Sequence, residues 1–314
     1  MSMVIVFGSL NIDLMMEVEH QPQIGETVLT PTYKWLPGGK GANQALACSR
    51  SGIKTAMVGQ IGDDGFGTRI YNTLKRDEVW VSSVGRHDSE PTGMAFITTD
   101  KTGDNQIVVA TGANNATSGD QIPDEILGPD NVILMQMEIP HAENWDVIRR
   151  AKAKGAQTIL NLAPAGAIPK DVLVDLDYLI VNQIEGRQIA EKMGLTIEDD
   201  AIKLAKTLAE NADLTCVMTM GHLGAVVMKS NGTGWKVGAV NLGEDVVDTT
   251  GAGDTFCGVF AGCVFEKRSI QDSMRRASIA GSLACKSFGA QTAMPRSDEI
   301  DDALGLVDLA TPIQ

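Results

Sequence analysis

The chain has 314 residues, of which 43% are hydrophobic, and its formal net charge is −14 at pH 7. This length allows one large α/β domain with an appendage, or two domains. Because the charge is strongly acidic and no basic run offsets it, nucleic acid and anionic membrane surfaces are disfavoured as partners.

Cysteine and histidine usage narrows the chemistry further. The five cysteines lie in apolar segments and form no C-x-x-C pair, which predicts buried thiols in a reducing compartment. The four histidines are dispersed, so a zinc site and Ser-His hydrolysis are both disfavoured. No basic leader precedes the apolar strand that begins at Val4, and no apolar run reaches about 18 residues. We therefore expect a cytoplasmic protein that does not cross a membrane.

Alternating strand and helix patterns predict an α/β fold. Apolar runs predict strands at 4–8, 14–18, 27–35, 54–59, 92–98, 106–110, 132–135, 158–162, 178–181, 214–219, 226–229 and 235–239. Helical patterns fall at 44–51, 66–74, 183–192, 199–210, 270–287 and 298–304, with further helices ending at Lys154 and beginning at Gly251. The alternation indicates a parallel sheet with helices on both faces, within one domain spanning 1–314. Strands within about 11–35 and 92–110 lack intervening helices, and we expect them to form a small separate sheet that acts as a lid, with a hairpin turn at 100–103.

The segment from Asp248 to Asp254, of sequence DTTGAGD, precedes an apolar run at 256–265 that predicts a buried helix. Free backbone N–H groups and the positive end of the helix dipole at such a helix start suit an anion. We interpret Asp254 as a proton acceptor, and the amides of Gly251, Ala252 and Gly253 as a hole for charge on a transferred phosphoryl group. The alternative is a capping aspartate in a glycine-rich turn.

Polar residues at two other places suggest a sugar site. In the segment GGKGAN, Lys40 and Asn43 open a helix behind consecutive glycines and could donate hydrogen bonds to hydroxyl groups, although a flexible turn fits equally well. Asn11 and Asp13 directly follow an apolar strand, as Glu138 follows another; they could bind vicinal hydroxyls or form Asx turns. The P-loop spacing fails, and the absence of an intact G-x-G-x-x-G motif disfavours a nicotinamide enzyme.

Two further strand ends suggest a nucleotide and a metal. Asn182 and Glu185 could hold Mg²⁺ through water, and the same spacing also fits a helix capping box; the two interpretations are compatible. The segment from Thr219 through Gly221 to Gly224 could wall a base pocket, although a plain β-turn is the commoner meaning of such a segment.

Taken together, the segments GSLNID at 8–13, GGKGAN at 38–43, NQIE at 182–185 and DTTGAGD at 248–254 resemble the ribokinase-like (pfkB-type) carbohydrate kinases over essentially the whole chain. The resemblance implies a Rossmann-like three-layer α/β/α sandwich with a β-lid, and ATP-dependent phosphorylation of a sugar hydroxyl. By motif position it implies Asp254 as the base, with Gly251, Ala252 and Gly253 as the anion hole. The implied sugar contacts are Asn11, Asp13, Gly39, Lys40, Asn43 and Glu138. The implied nucleotide and Mg²⁺ residues are Asn182, Glu185, Thr219, Gly221, Gly224 and Gly253, with Ser278 near the adenine.

Within the family, the Asn11 and Asp13 pair, GGKGAN and Glu138 together favour transfer to the 5-hydroxyl of D-ribose. Fructose, 2-keto-3-deoxygluconate and nucleosides stay open as substrates. A catalytically silent sugar- or nucleotide-binding regulator is an alternative of another class, which the intact Asp254 and its glycines disfavour. The resemblance also implies a homodimer through the lid and a potassium site, at which Ala293 stands where a serine is usual in the family. The residues implied at the cation are Asp248, Thr250, Ala284, Ser287 and Gly289.

Overall fold

The computed structural model describes residues 2–102 and 104–313, and within these ranges it contains fourteen strands and ten α-helices. The strands are β1 Val4–Phe7, β2 Asn11–Glu17, β3 Tyr33–Gly38, β4 Thr55–Gly62, β5 Trp80–His87, β6 Gly93–Thr99, β7 Asn105–Ala110, β8 Val132–Met135, β9 Gln157–Asn161, β10 Tyr178–Asn182, β11 Thr215–Thr219, β12 Ala225–Lys229, β13 Gly234–Val237 and β14 Thr311–Pro312. The helices are α1 Lys40–Arg50, α2 Gly65–Arg76, α3 His141–Lys154, α4 Lys170–Leu173, α5 Gln183–Lys192, α6 Ala201–Ala212, α7 Ala252–Phe265, α8 Ile270–Ala284, α9 Ala290–Ala293 and α10 Ser297–Asp302.

Ten of these strands form the central sheet, in the order β14-β13-β12-β11-β10-β9-β8-β1-β4-β5. Each neighbouring pair from β5 through β4, β1, β8, β9 and β10 to β11 is parallel, whereas β12, β13 and β14 pair antiparallel. Successive residues of β1 enter different cores, because Val4 and Val6 pack with α1, α7 and α8 whereas Ile5 and Phe7 pack with α3, α5 and α6. Helices therefore cover both faces, which confirms the predicted three-layer α/β/α architecture.

The parallel strands end along one edge of the sheet. Phe7 at the end of β1 pairs with Met135 at the end of β8, and Asn182 at the end of β10 pairs with Thr219 at the end of β11. The segments that follow these strands therefore lie along the same edge, where ligands bind in open α/β sheets.

The predicted small separate sheet is also present. It has four strands in the order β3-β2-β6-β7, and we call it the small sheet. Only the three residues Gly8–Leu10 separate β1 in the central sheet from β2 in the small sheet. Strand β2 pairs in parallel with β6, and β6 forms the predicted hairpin with β7. Gly103 of the predicted hairpin turn lies outside the described residues.

Several predicted boundaries differ from the structure. The strand predicted at 27–35 is wrong in its first part, because the chain is irregular there and Leu29 is 88% exposed. Strand β3 begins later and includes Pro37, which an edge strand tolerates because a missing N–H costs no bond on its open side. The helix predicted at 270–287 ends at Ala284, which leaves Ser287 in the following loop.

The structure confirms the prediction that the cysteine thiols are largely buried. Cys48, Cys216, Cys257 and Cys263 are buried and Cys285 is half-buried. Burial raises the pKa of Cys48, Cys216 and Cys263 to about 12, which makes these thiols unreactive. Among the described residues, no helix combines the length and the apolar character needed to cross a bilayer.

Candidate active site

Helix α7 begins at a turn that a glycine makes possible. Its N-cap residue, Gly251, has a φ of 77°, and a Cβ at this position would lie 2.7 Å from the Cβ of Ala290. Both the left-handed conformation and the close approach exclude a side chain here. Helix α7 is buried from Asp254 to Val264, as the apolar run predicts for this segment. Asp254 therefore lies in the first turn of a helix that packs inside the protein.

The backbone amides at this helix start differ in their partners. The amide of Ala252 donates to the carbonyl oxygen of Thr249 at 3.2 Å, and the amide of Thr255 donates to that of Gly251 at 2.8 Å. Within the described residues, the amides of Gly251, Gly253 and Asp254 have no acceptor. Three free donors at the positive end of a helix dipole provide a site for an anion. Of the predicted anion-hole residues, Gly251 and Gly253 thus have free amides, whereas that of Ala252 is engaged.

The carboxylate of Asp254 lies against helix α1. Asn43 Nδ2 donates to Asp254 Oδ2 at 2.9 Å, and Gln44 Nε2 donates to Asp254 Oδ1 at 2.9 Å. On the far side of Asn43, its Oδ1 accepts a hydrogen bond from Gln291 Nε2 at 3.1 Å. Asp254 and Asn43 are therefore in direct contact although 211 residues separate them in the sequence.

A group of charged residues lies beside Asp254. The pKa of Asp13 is raised to about 7, first by burial and then by the charges of Glu138 and Asp254, while Lys40 opposes the shift. Glu138 Oε2 accepts hydrogen bonds from Ser9 Oγ at 2.6 Å and from the Lys40 amide at 3.1 Å. Three carboxylates and one ammonium group thus share a largely buried region, in which Asp254 is buried and the other three residues are half-buried. Such a group suits hydroxyl ligands, which can donate to the carboxylates.

Lys40 provides the positive charge of this group. Burial alone would lower its pKa, but the charges of Asp254, Glu138 and Glu185 raise it. Lys40 therefore stays protonated and partly neutralises three carboxylates. Gly39, the N-cap residue of α1, lies directly before it and has a φ of 88°.

Asn11 is held by a residue that the sequence pattern did not single out. Asn114 Nδ2 donates to Asn11 Oδ1 at 2.7 Å, and Asn114 Oδ1 accepts from the Leu10 amide at 2.9 Å. Asn114 lies in a short 3₁₀ helix after β7, where no motif distinguishes it from its neighbours. Ser9 lies within the GSLNID segment but was not singled out, although it donates a hydrogen bond to Glu138.

Asn182 and Glu185 form the capping box that their spacing allows. Asn182 Oδ1 accepts from the Glu185 amide, and Glu185 Oε2 accepts from the Asn182 amide, both at 2.8 Å. The pKa of Glu185 is raised by burial and by the charge of Asp254, while Lys40 opposes the shift. Glu185 therefore also faces the charged group around Asp254. Among the described residues, no cluster of three or more His, Cys, Asp or Glu side chains is arranged to hold a metal ion.

A cleft of about 890 Å³ opens beside the start of α7. It brings together the predicted nucleotide residues Thr219, Gly221, Gly224, Gly253 and Ser278. The cleft is also lined by residues from the segment after β13, which carries no recognisable motif and was not predicted: Ala239, Val240, Asn241, Leu242 and Gly243. Asn182 and Glu185 do not line it. The cleft has the size and the largely apolar walls of a small-ligand site, with free amides at one end.

Asp248 joins two loops next to the anion site. Its Oδ1 accepts from the amide and the hydroxyl of Thr250, at 2.9 and 2.7 Å, and its Oδ2 accepts from the amide of Gly289 at 2.9 Å. Within the described residues, no hydrogen bond reaches the carbonyl oxygens of Ala284 or Ser287. Carbonyl and carboxylate oxygens are hard ligands of the kind that metal cations prefer.

Comparison with known proteins agrees with this geometry. A profile of the pfkB family carbohydrate kinases matches residues 1–297. The ribokinase of Lactococcus lactis is 35% identical over 303 residues, which cover 96% of this chain and 96% of that protein. The structure of ribokinase from Thermotoga maritima has a TM-score of 0.87 at 29% identity, covering 97% of this chain and 100% of that one. The structure of Arabidopsis thaliana ribokinase complexed with ribose and ATP has a TM-score of 0.87 at 29% identity, covering 96% and 98%. The chain belongs to the pfkB family of carbohydrate kinases.

Proposed function

We propose that this chain transfers the γ-phosphate of ATP to the 5-hydroxyl of D-ribose, with Asp254 as the proton acceptor. One observation carries the proposal: the first turn of α7 lies between the proposed sugar site and the cleft. The charges of Asp254 and Glu138 both raise the pKa of Asp13, and Gly253, adjacent to Asp254, lines the cleft. A hydroxyl bound on one side and a phosphate bound on the other would meet at this turn.

The reaction follows from the groups at that turn. The sugar oxygen forms a bond to the γ-phosphorus, the bond from that phosphorus to the bridging oxygen of ADP breaks, and the hydroxyl proton passes to Asp254. The free amides of Gly251, Gly253 and Asp254 are suited to stabilise charge on the transferred group. The amide of Ala252 would contribute only if its bond to Thr249 opened.

Mg²⁺ would lie between the nucleotide phosphates and the protein. Glu185 uses only Oε2 in the capping box, and its other oxygen has no partner among the described residues. One carboxylate oxygen together with water and phosphate oxygens fits the preference of this ion for keeping its hydration shell. When bound, Mg²⁺ would neutralise phosphate charge.

The choice of ribose rests on the sugar side of the site and on the relatives. Asp13 and Glu138 provide oxygen acceptors for several hydroxyls, and Asn11, Asn43 and Lys40 provide donors. Both features fit other small polyols too, and the ribokinases among the relatives support the choice of ribose. A panel of D-ribose, 2-deoxyribose, fructose, 2-keto-3-deoxygluconate and nucleosides, assayed by ADP release, tests the choice. We expect the highest kcat/KM with D-ribose, and a strong preference for a nucleoside would contradict it.

Substitution of Asp254 tests the chemical step. Asp254→Asn keeps the shape of the side chain but removes the proton acceptor, and we expect kcat to fall by at least about 10²-fold. The loss should appear in ADP release with the best sugar, while binding of ADP in the cleft is retained. Equal rates in both proteins would refute Asp254 as the base, and a wild type without any ADP release would favour a silent binding protein.

We also propose that potassium binds at Asp248, Thr250 and Gly289 with the carbonyl oxygens of Ala284 and Ser287. A cation there would fix the two loops that flank Gly251. We expect turnover to rise severalfold when K⁺ replaces a large organic cation at constant ionic strength, and Asp248→Asn to abolish that difference. The nucleotide-free protein should also melt at a higher temperature in K⁺. An identical rate and melting temperature without K⁺ would refute the site.

We propose that 1–314 is one catalytic domain, that the small sheet is its lid and that two chains pair through this sheet. Strand β7 supports the pairing, because it is a sheet edge and is exposed along its whole length. Its apolar residues Ile107, Val108 and Val109 are exposed. Such an edge is normally paired or covered.

The five free cysteines support a reducing compartment, and we propose the cytoplasm.

A further inference from the structure

The carboxylate of Asp254 is held from both sides by side-chain amides. Asn43 belongs to the proposed sugar site, but its neighbour Gln44 has no assigned role. Gln44 is 0% exposed and donates to Asp254 Oδ1, while Asp254 itself is only 8% exposed. Gln44 therefore lies beneath the carboxylate, on the side away from solvent.

The orientation of the Gln44 amide is fixed by its neighbours. The carbonyl oxygen of Ile180 can only accept, so Asn161 Nδ2 faces it at 3.3 Å. Asn161 Oδ1 then accepts from Gln44 Nε2 at 3.0 Å. With its amino group shared between Asn161 and Asp254, Gln44 turns Oε1 towards Gln136, whose Nε2 donates to it at 2.7 Å. Reversing any one amide would place two donors or two acceptors against each other.

Gln136 anchors the other end of this chain of amides. It is fully buried, directly after β8, and its backbone carbonyl accepts from Asn144 Nδ2 at 2.7 Å. Its Oε1 lies against Gly8, where a Cβ would overlap it. The side chain is therefore packed between Gly8 and Gln44, and its Oε1 is buried without a hydrogen-bond partner among the described residues.

We propose that Gln44 is a positioning residue for the phosphoryl transfer, and that Gln136 keeps it in the donating orientation. The inference rests on the proposed function of Asp254. A carboxylate that is buried without hydrogen bonds is unfavourable, and a base displaced by about 1 Å can lose about 10²-fold in rate. Gln44 supplies the hydrogen bond to Oδ1 and prevents the carboxylate from rotating, while Oδ2, held by Asn43, keeps a lone pair for the hydroxyl proton.

The substitution Gln44→Met tests this role, because it keeps the length of the side chain and removes its donor. We expect kcat to fall roughly 10- to 100-fold, which corresponds to losing a hydrogen bond to a charged group, with both KM values little changed. The acidic limb of the kcat profile, measured at saturating sugar, should move to higher pH, because the ionised carboxylate has lost a donor. Gln60→Met is the matched control: Gln60 lies in β4 with a buried amide oxygen, against Gly85 and away from Asp254. Gln60→Met should lower stability without moving the acidic limb.

A double-mutant cycle separates positioning from a general loss of stability. Because Gln136 acts through Gln44, Gln136→Met should move the acidic limb in the same direction, and the double variant should be no slower than Gln44→Met alone. If Gln44→Met does not fold, the shift of the acidic limb in Gln136→Met tests the inference instead. Wild-type turnover in Gln44→Met, or rate losses that multiply in the double variant, would overturn the inference while leaving the proposed function intact. A wild type inactive on every sugar would refute both.

Discussion

Asp13 is half-buried, and the charges of two other carboxylates act on it; this placement has consequences for stability and for binding. Its pKa of about 7, against an ordinary value of 3.8, means that the folded protein holds a proton that the unfolded chain releases. Stability attributable to this group is therefore present at low pH and is lost as the pH rises towards about 7. A sugar hydroxyl that donates a hydrogen bond to Asp13 needs the ionised carboxylate. The ionised carboxylate is also the form that lowers the stability of the folded protein.

Asp13→Asn separates these two effects. We expect the variant to unfold at a higher temperature than wild type at pH 8, and the difference to shrink at pH 5. Its KM for the sugar should rise roughly 10- to 100-fold, the scale of a hydrogen bond to a charged group. In wild type, the KM for the sugar should fall as the pH rises from 6 to 8. Thermal unfolding and initial rates measure these quantities.

A matched control for Asp13 is Asp88→Asn, since Asp88 is exposed and is not among the charges that act on Asp13. It should change neither melting temperature nor KM. An Asp13→Asn protein that melts below wild type at pH 8 would show that the carboxylate stabilises the fold, contrary to its burial beside like charges.

At the scale of elements, the first turn of α7 can be examined with two glycines that differ in their surroundings. A Cβ at Gly251 would meet Ala290 and adopt an unfavourable φ, whereas a Cβ at Gly253 would have no neighbour within 4 Å. We expect Gly251→Ala to lower both stability and activity. Gly253→Ala should leave stability unchanged or raise it by up to about 1 kcal/mol, because alanine favours the helix. Its added methyl group should nevertheless lower kcat/KM for ATP, since Gly253 lines the cleft.

Urea unfolding and steady-state kinetics on the same two variants distinguish these expectations. If Gly253→Ala kept full kcat/KM for ATP, the phosphates would have to lie elsewhere than at the start of α7. If Gly251→Ala were as stable as wild type, the turn before α7 would be able to shift away from α9.

The sequence pattern predicted the alternating strands and helices because their apolar periodicity is strong. Two strands were missed for different reasons. Strand β5 is at an edge of the central sheet and alternates buried with polar residues, so it lacks an apolar run. Strand β14 has only two residues and is ordered by pairing with β13. Both depend on neighbours that are distant in sequence.

The motifs predicted where polar residues gather, but not which partners orient them. The contact of Ser9 with Glu138 spans 129 residues, and that of Asn114 with Asn11 spans 103. Gln44 follows the GGKGAN segment directly, yet its role depends on Asn161, Gln136 and Asp254, which lie on three other elements. A pattern along the chain carries no record of such contacts, because they arise only when the sheet brings strand ends together.

For the whole molecule, the proposed pairing of two chains can be tested on strand β7. Ile107 and Val108 point to opposite faces of the small sheet and are 54% and 69% exposed. We expect wild type to sediment with twice the 33.4 kDa of one chain, and Ile107→Lys/Val108→Lys to sediment as a single chain. Charged residues on an edge strand prevent strands from pairing.

Val174→Lys is the control for that experiment, because Val174 is an exposed apolar residue that follows α4, outside the small sheet. It should leave the mass unchanged. A wild-type protein that sediments as one chain would refute the pairing, and a double variant of unchanged mass would place the interface elsewhere.

The three-residue junction Gly8–Leu10 gives the chain a strict length requirement. Asn11 and Asp13 point to one face of the small sheet because side chains alternate along β2, with Ile12 turned to the other face. Inserting a single residue between Phe7 and Asn11 would turn every side chain of this strand over and carry both hydrophilic groups to the wrong side. Homologous chains could therefore vary the residues of this junction far more freely than their number.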